Sequence, residues 1–532
     1  MSRTRKRDRF DLGVARSGRI PGELHLRIPE GVEPGGAPLP GGLRLRHQLR
    51  SARIWFPALA AMVATLAVVG ATGDGLVRAA AFGIAMGAVA RILRDFPYPL
   101  HLLPASRHAL ALLPAFTGAV AVAILGFAED DALVVTDVLP GLAAAVVVAL
   151  VVEMIGDRVL AQRPLRIAVL GAPDFVPAIR RELDAIGGRS EVEVIGWLNL
   201  GAGISPTGAR ATERTLGRVR AAITEHEIDL LVRGPGGPGS SRQGRDAYDA
   251  LAAGCLDLPV RMIDGNQLYE QVFGHVPIGT IDSAWFLFLM HPSFRASSKL
   301  TKRIVDLLVG AVAALVALPL VAIGALAILI SDGRPITYRQ RRVGERGREF
   351  EIIKLRTMRT GSDAPSRDGR QVWSGADDDR VTPVGRVLRR LHIDELPQIV
   401  NVLRGDMTLV GPRPEQPQIT AQLERVFPHY SRRLLVKPGV TGWAQVRCGY
   451  AGSELGTAWK LCHDLFYLKH RSALVDFLIM LETLVIAARD SHRPMRAPQP
   501  GFLFSKGTDG GRDLAGSTES PLDAQFAGST GG

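Results

Sequence analysis

Asp394 and Glu395 are adjacent carboxylates, with Pro397 two residues further on. A carboxylate can attack phosphorus to form an acyl phosphate, a high-energy ester that a second nucleophile opens readily. Proline favours the first turn of a helix, so the spacing predicts the dyad at a helix N-terminus, where main-chain amides and the helix dipole attract a phosphate. An Asp at that place could equally serve as an ordinary cap, and the pair by itself does not separate the two readings. Lys354, Arg356, Arg389 and Arg413 are the candidate phosphate clamps, because a phosphate site needs matching cations, best of all the planar fork of Arg. Taken singly, each could be a plain surface cation. Gly411-Pro412-Arg413-Pro414 has a stiff backbone that could aim Arg413 inward.

These residues belong to a chain of 532, long enough for several domains. Hydrophobic residues make up 47% and mean hydropathy is +0.14, yet 64 Lys and Arg against 52 Asp and Glu give a net charge of +12. That combination points to a membrane and an anionic partner. It disfavours a basic nucleic-acid binder, which has no use for apolar residues gathered into long runs. Cys255, Cys448 and Cys462 form neither a CxxC pair nor an even set, which favours a reducing compartment and no zinc site.

Residues 1–50, rich in Arg, Gly and Pro without apolar periodicity, read as a disordered cytoplasmic arm. Region 51–162 holds four apolar stretches, at about 54–72, 76–93, 109–127 and 139–157, each near the length that spans a bilayer. Arg and Lys flank the first span, the second loop and the end of the fourth, whereas Asp74 and Glu129-Asp130-Asp131 mark the other loops. All that follows is therefore expected in the cytoplasm. Glu153, near the inner end of the fourth span, reads as a carboxylate snorkelling to the interface. Across 163–290 buried strands alternate with helices, as in a doubly wound α/β Rossmann-like module. Its first turn, Gly171-Ala172-Pro173-Asp174, lacks the later glycines of a dinucleotide site, and Pro173 removes an amide donor. Structural or regulatory use is expected there, with room for a homo-oligomer through the module. The segment 234–244 reads as a flexible loop and 491–532 as a disordered tail.

Residues 300–330 form a fifth apolar stretch that could reach roughly 46 Å as a helix. Lys299, Lys302 and Arg303 precede it, and Arg334, Arg339, Arg341 and Arg342 follow it, so both ends are expected on the cytoplasmic side. Pro319, near the middle, breaks the hydrogen-bond ladder and predicts a re-entrant turn. A later stretch, 464–486, is amphipathic and could either rest on the inner leaflet or pack into a core.

The ordered blocks Lys302-Arg303-Ile304-Val305-Asp306, Gly333 to Gln340, Phe350 to Met358, Thr382 to Gln398, Asn401 to Met407, Val410 to Pro414 and Val436 to Val446 resemble the bacterial sugar transferases called monotopic phosphoglycosyl transferases. The resemblance covers about 299–490. The preceding spans and α/β module are similar to the long-form members of exopolysaccharide operons. Two positions depart from the usual pattern: Leu391-His392 where members often have Thr-Ser, and Leu318 where a Ser often precedes the hairpin proline.

The resemblance implies a multi-domain membrane protein with four transmembrane helices, the Rossmann-like module, and an α+β monotopic catalytic domain (291–490) carrying the re-entrant helix. It implies transfer of a sugar 1-phosphate from a UDP-sugar to a polyprenyl (undecaprenyl-type) phosphate at the cytoplasmic membrane, with Asp394 as nucleophile and Glu395 helping to hold Mg²⁺. Lipid of the inner membrane is the further partner, and no nucleic acid is expected. A catalytically silent scaffold is disfavoured by the intact dyad. An epimerase or dehydratase is disfavoured by the degraded Gly-rich turn and the lack of a Tyr-x-x-x-Lys pair after it.

Overall fold

A computed structural model describes residues 164–170, 175–186, 192–198, 209–234, 251–258, 260–281, 285, 299–361, 379–427, 429–448 and 454–488. The arm, the four apolar stretches with Glu153, the turn 171–174, nearly all of the loop 234–244 and the tail lie outside these residues. The chain divides into two compact units.

The first unit contains strands β1 (Leu165–Leu170), β2 (Val192–Leu198), β3 (Leu230–Arg233) and β4 (Arg261–Asp264), in the order β2-β1-β3-β4. β1 runs parallel to both β2 and β3. Ile167, Ala168, Val169 and Leu170 have no exposed surface, as expected of a strand covered on both faces. Helix α1 spans Phe175–Ile186, and α2, Ala209–Glu225, lays Val219, Ala222 and Ile223 on the core. Arg166 N donates to the Asp229 carboxylate at 3.0 Å, which ties the start of β1 to the turn before β3.

Among the described residues the second unit takes in Arg181–Ile186 and the chain from Asp264 onward. Asp264 caps a single turn, Gly265–Leu268, and a π turn, Tyr269–Phe273, follows. Val276, Ile278 and Trp285 are buried with Phe427, Trp443 and Phe466 in one cluster. Trp443 Nε1 donates to Gly274 O at 2.7 Å, and Val276 N to Cys462 O at 3.1 Å. Glu270 accepts from Lys469 Nζ at 2.7 Å and faces His470 Nε2 at 2.9 Å. Local periodicity carries no trace of this segment's allegiance, because tertiary packing alone decides it.

Helix α3, Lys299–Ser331, runs 33 residues without interruption through Pro319. Its buried positions, Asp306, Gly310, Ala317, Gly324 and Ile328, recur at intervals of four and seven and so form one narrow stripe. Leu308, Val312, Leu315, Leu318, Ile323, Leu326 and Ile330 are exposed. Near the start, Lys302 Nζ pairs with Asp476 at 2.6 Å, Arg303 donates to the carbonyls of Val402 and Leu403 at 2.6 Å each, and Asp306 accepts from Thr408 Oγ1 at 2.7 Å. At the far end, Gly324 lies against Leu355, Leu388 and Ile393, and Arg356 donates to the carbonyls of Asp332 and Gly333 at 2.7 and 2.9 Å. Both ends are thus fastened to one body. The helix is apolar, exposed on most of its surface and fastened near both ends to the same unit, and the re-entrant turn expected at Pro319 does not interrupt it.

The rest of the unit comprises the antiparallel hairpin β5 (Thr337–Val343) and β6 (Glu349–Leu355), then α4 (Pro383–Arg390), a 3₁₀ turn Ile393–Gln398 and α5 (Ile399–Arg404). β7 (Thr408–Val410) pairs in parallel with β8 (Gly439–Thr441), with α6 (Pro417–Val426) and a 3₁₀ turn Tyr430–Leu435 between them. Helices α7 (Trp443–Cys448), α8 (Glu454–His470) and α9 (Ala473–Ala488) close the unit. Of the two readings of 464–486, the structure takes core packing: Leu465, Phe466, Tyr467, Leu478 and Ile479 are all buried.

The position of residues 264–285 sets an expectation for truncation. A protein starting at Asp264 keeps the buried cluster whole, whereas one starting at Arg295 removes Val276, Ile278 and Trp285. At about 1.5–3 kcal/mol for each buried apolar side chain, the shorter protein should unfold at a markedly lower temperature. Equal unfolding midpoints in the same detergent would show that the segment is dispensable.

Candidate active site

The dyad is set by a sharp corner. Thr382 caps α4 by accepting from Gly385 N at 3.0 Å, Pro383 fills the first helical position, and the helix ends at Leu391. His392 then adopts a left-handed conformation (φ 55°), unusual for a residue with a Cβ, and turns the chain into the 3₁₀ segment that carries Asp394 and Glu395 in its first turn. No side chain caps this turn, so Asp394 is not serving as the cap that its position would equally suggest.

Asn401 locks the turn to the hairpin. Fully buried on α5, it accepts from Ile353 N at 3.1 Å and donates to Glu351 O at 2.7 Å, taking the place of a missing strand at the edge of β6. Lys354, one residue past Ile353, is thereby held against the dyad. In the sequence Asn401 stands only as part of a matching block, and nothing local marks its role.

Glu395 is closed on by two cations. Arg413 binds it with both terminal nitrogens, at 2.6 and 3.2 Å, and Lys354 Nζ reaches Oε1 at 2.7 Å. Burial opposes its ionisation, but Arg413 and Lys354 override it and hold the carboxyl well below the usual range. Lys354 is lowered, because burial outweighs the attraction of Glu395. Asp394 is 8% exposed and, among the described residues, forms neither an ion pair nor a hydrogen bond. Burial first, and the Glu395 charge second, raise it to about 6. Arg389 lies near enough to favour the Asp394 anion and is steadied by donating to Thr357 Oγ1 at 2.9 Å.

Five of the six polar residues singled out from the sequence thus meet: Asp394, Glu395, Lys354, Arg389 and Arg413. Arg356 does not join them. Its guanidinium is buried on the carbonyls that end α3 and on Thr360 Oγ1 at 3.2 Å, so it straps the apolar helix to β6 rather than waiting for a phosphate. Among the described residues no group of three acidic, imidazole or thiol side chains could hold a metal by itself. A divalent ion such as Mg²⁺ is still compatible with the donor set. It commonly takes one or two carboxylates and completes its shell with substrate phosphate oxygens and water.

The bacterial sugar transferase family matches residues 297–490. The chain is 43% identical over 237 residues to a UDP-N-acetylgalactosamine-undecaprenyl-phosphate N-acetylgalactosaminephosphotransferase of Aeromonas hydrophila, covering 44% of this chain and 54% of that protein. It is 41% identical over 195 residues to a UDP-glucose:undecaprenyl-phosphate glucose-1-phosphate transferase of Caulobacter vibrioides, covering 36% of this chain and 72% of the relative. With the exopolysaccharide production protein ExoY of Sinorhizobium fredii it shares 32% identity over 213 residues, 38% of this chain and 92% of the relative. The chain belongs to the bacterial sugar transferase family. It spans about half the length of the Aeromonas protein and most of the other two.

The raised Asp394 carboxyl has a consequence for stability. The folded protein keeps this proton to about pH 6, whereas the unfolded chain releases it near 3.8. Between those values the native state binds more protons, so stability falls as pH rises, and above about 6 the whole penalty is present. Asp394→Asn should therefore stabilise the fold at pH 7.5 by on the order of 1–3 kcal/mol, with the gain vanishing towards pH 4. Thermal unfolding of both proteins across that range checks it; a gain that persists unchanged at pH 4 would assign the effect to something other than the charge.

Proposed function

We propose that this protein transfers a sugar 1-phosphate from a UDP-sugar to a polyprenyl phosphate at the cytoplasmic face of the bacterial membrane, by a covalent route through Asp394, and so begins assembly of an exopolysaccharide or related glycoconjugate. The observation that carries the reading is a buried carboxylate with no cation of its own, set beside one that holds two. Asp394 is left nucleophilic, while Arg413, Lys354 and Arg389 stand ready to receive a diphosphate.

Asp394 Oδ attacks the sugar-bearing phosphorus, the bond from that phosphorus to the bridging oxygen breaks, and UMP leaves with the electron pair. A polyprenyl phosphate oxygen then attacks the same phosphorus, and cleavage of the acyl phosphate bond returns Asp394 as carboxylate. Lys354 and Arg413 exchange part of their hold on Glu395 for the diphosphate oxygens. Glu395, with Asp394 beside it, would hold Mg²⁺, which supplies charge neutralisation for the leaving nucleotide. The apolar helix α3 supports placement of this chemistry at the bilayer surface, where the lipid phosphate is found. In this reading the four N-terminal apolar stretches span the membrane and the α/β module has a structural or regulatory part.

Two outcomes are expected. The rate constant kcat/KM should rise with pH through an apparent pKa of about 6, since only the ionised Asp394 attacks. Kinetics should be ping-pong, and Asp394→Asn should abolish the UMP-for-UDP-sugar exchange that needs no lipid. Mass spectrometry of protein incubated with UDP-sugar alone should place the phosphosugar on the peptide His392–Gln398; exchange persisting in Asp394→Asn would sink the nucleophile. For topology, Arg334→Cys should react with a membrane-impermeant maleimide from the cytoplasmic side only. The three native thiols are buried, and labelling from outside intact cells would overturn the placement of both helix ends on the cytoplasmic side.

A further inference from the structure

The turn that presents Arg413 is held to an unusual degree. Four successive carbonyls, from Pro412 to Glu415, each accept a hydrogen bond, two of them from the neighbouring residues Arg342 and Val343 at the end of β5 and the others from Gly439 and Arg433. Gly439 N donates to Pro412 O at 3.0 Å, Arg433 Nη2 to Arg413 O at 2.9 Å, Arg342 Nη1 to Pro414 O at 3.0 Å, and Val343 N to Glu415 O at 2.9 Å. A main-chain turn flanked by two prolines has little freedom left. Two of its four anchors are guanidiniums largely withdrawn from water.

Arg433 is the more telling of the two. It is 5% exposed on the turn Tyr430–Leu435, its Nε and Nη2 meet Asp464 Oδ2 at 2.8 and 2.7 Å, and its Nη1 donates to Tyr430 Oη at 2.9 Å. Asp464 lies on α8 and is itself 2% exposed. Every donor of Arg433 that these contacts employ is directed inward, so it has no reach to a substrate. What it touches is the main chain of the residue that does. Arg342 is arranged alike: Nη2 donates to Gln340 Oε1 at 2.6 Å, and the Glu415 carboxylate lies 3.7 Å from Nη1. Replacement of a fixed fork by a flexible ammonium would keep the charge and lose the simultaneous hold on Asp464, Tyr430 and the Arg413 carbonyl.

Resting on the phosphoglycosyl transfer proposed above, we infer that Arg433, backed by Asp464 and assisted by Arg342, is a positioning residue that aims the Arg413 guanidinium at the diphosphate of the incoming nucleotide sugar. It acts through Arg413 and touches no substrate.

A double-mutant cycle on the full-length protein in detergent or nanodiscs separates this from a merely structural role. Arg433→Lys should raise KM for the UDP-sugar by about tenfold or more with a smaller change in kcat, since the loss is of substrate grip. In an Arg413→Lys background the same substitution should change KM by less than about twofold, because the residue it aims is already altered. Equal factors in the two backgrounds would overturn the proposal. Arg342→Gln, run through the same cycle, decides the matter if Arg433→Lys does not fold, with the same two outcomes. If the wild-type protein releases no UMP from any UDP-sugar, the functional reading falls and this inference with it; UMP release with additive effects overturns the positioning role alone.

Discussion

The arrangement turns on how charge is shared between two neighbouring carboxylates. Glu395 takes Arg413 and Lys354, and Asp394 is left buried with neither. Two carboxylates this close in a half-dry site repel one another, and the cations settle the contest in favour of one. The outcome is a division of labour: one group fixed as an anion that orders the cations, the other kept near the point where proton and nucleophile exchange. Much of the surrounding structure serves that division. Asn401 fixes the strand that brings Lys354, His392 makes the corner that turns the dyad inward, and the clamped turn from Pro412 to Glu415 brings Arg413.

The apolar helix enters the same system from beneath. Ile393, next in sequence to Asp394, packs with Leu355 and Leu388 on the face of α3 where Gly324 lets them approach. A Cβ at Gly324 would stand 2.9 Å from Leu355 Cδ1, so the helix and the reactive turn meet without room for a larger residue. The carboxylate turn and the exposed apolar helix are therefore one packed object, so a displacement of either is felt by the other.

The residues that cluster around Glu395 stood out in the sequence because phosphate chemistry restricts residue types: a carboxylate dyad, cations, and a proline that starts a turn. Arg356 shows where that reasoning stops. Its residue type suited a phosphate, but free carbonyls at the end of α3 also need donors, and a sequence does not say which acceptor a guanidinium will find. Asn401 failed in the opposite sense, since a polar residue that completes a strand edge carries no local pattern. The packing of residues 264–285 was hidden for a similar reason. Val276 and Ile278 are buried by Cys462 and Phe466 nearly two hundred residues later in the chain, and no window over residues 264–285 contains that information. The parallel strands of the first unit, by contrast, announced themselves through unbroken apolar runs such as Ile167 to Leu170.

The fastening of α3 also fixes an order of events during synthesis. Lys302 must wait for Asp476, 174 residues later, and Asp306 for Thr408, 102 residues later. At about 5–20 residues per second the ribosome delivers Asp476 roughly 10–35 s after Lys302. Until Thr408 and Asp476 have been made, Asp306 and Lys302 lack these partners. The start of α3 is therefore fastened last, when α9 is made, and the unit closes on its own first helix only at the end of its synthesis.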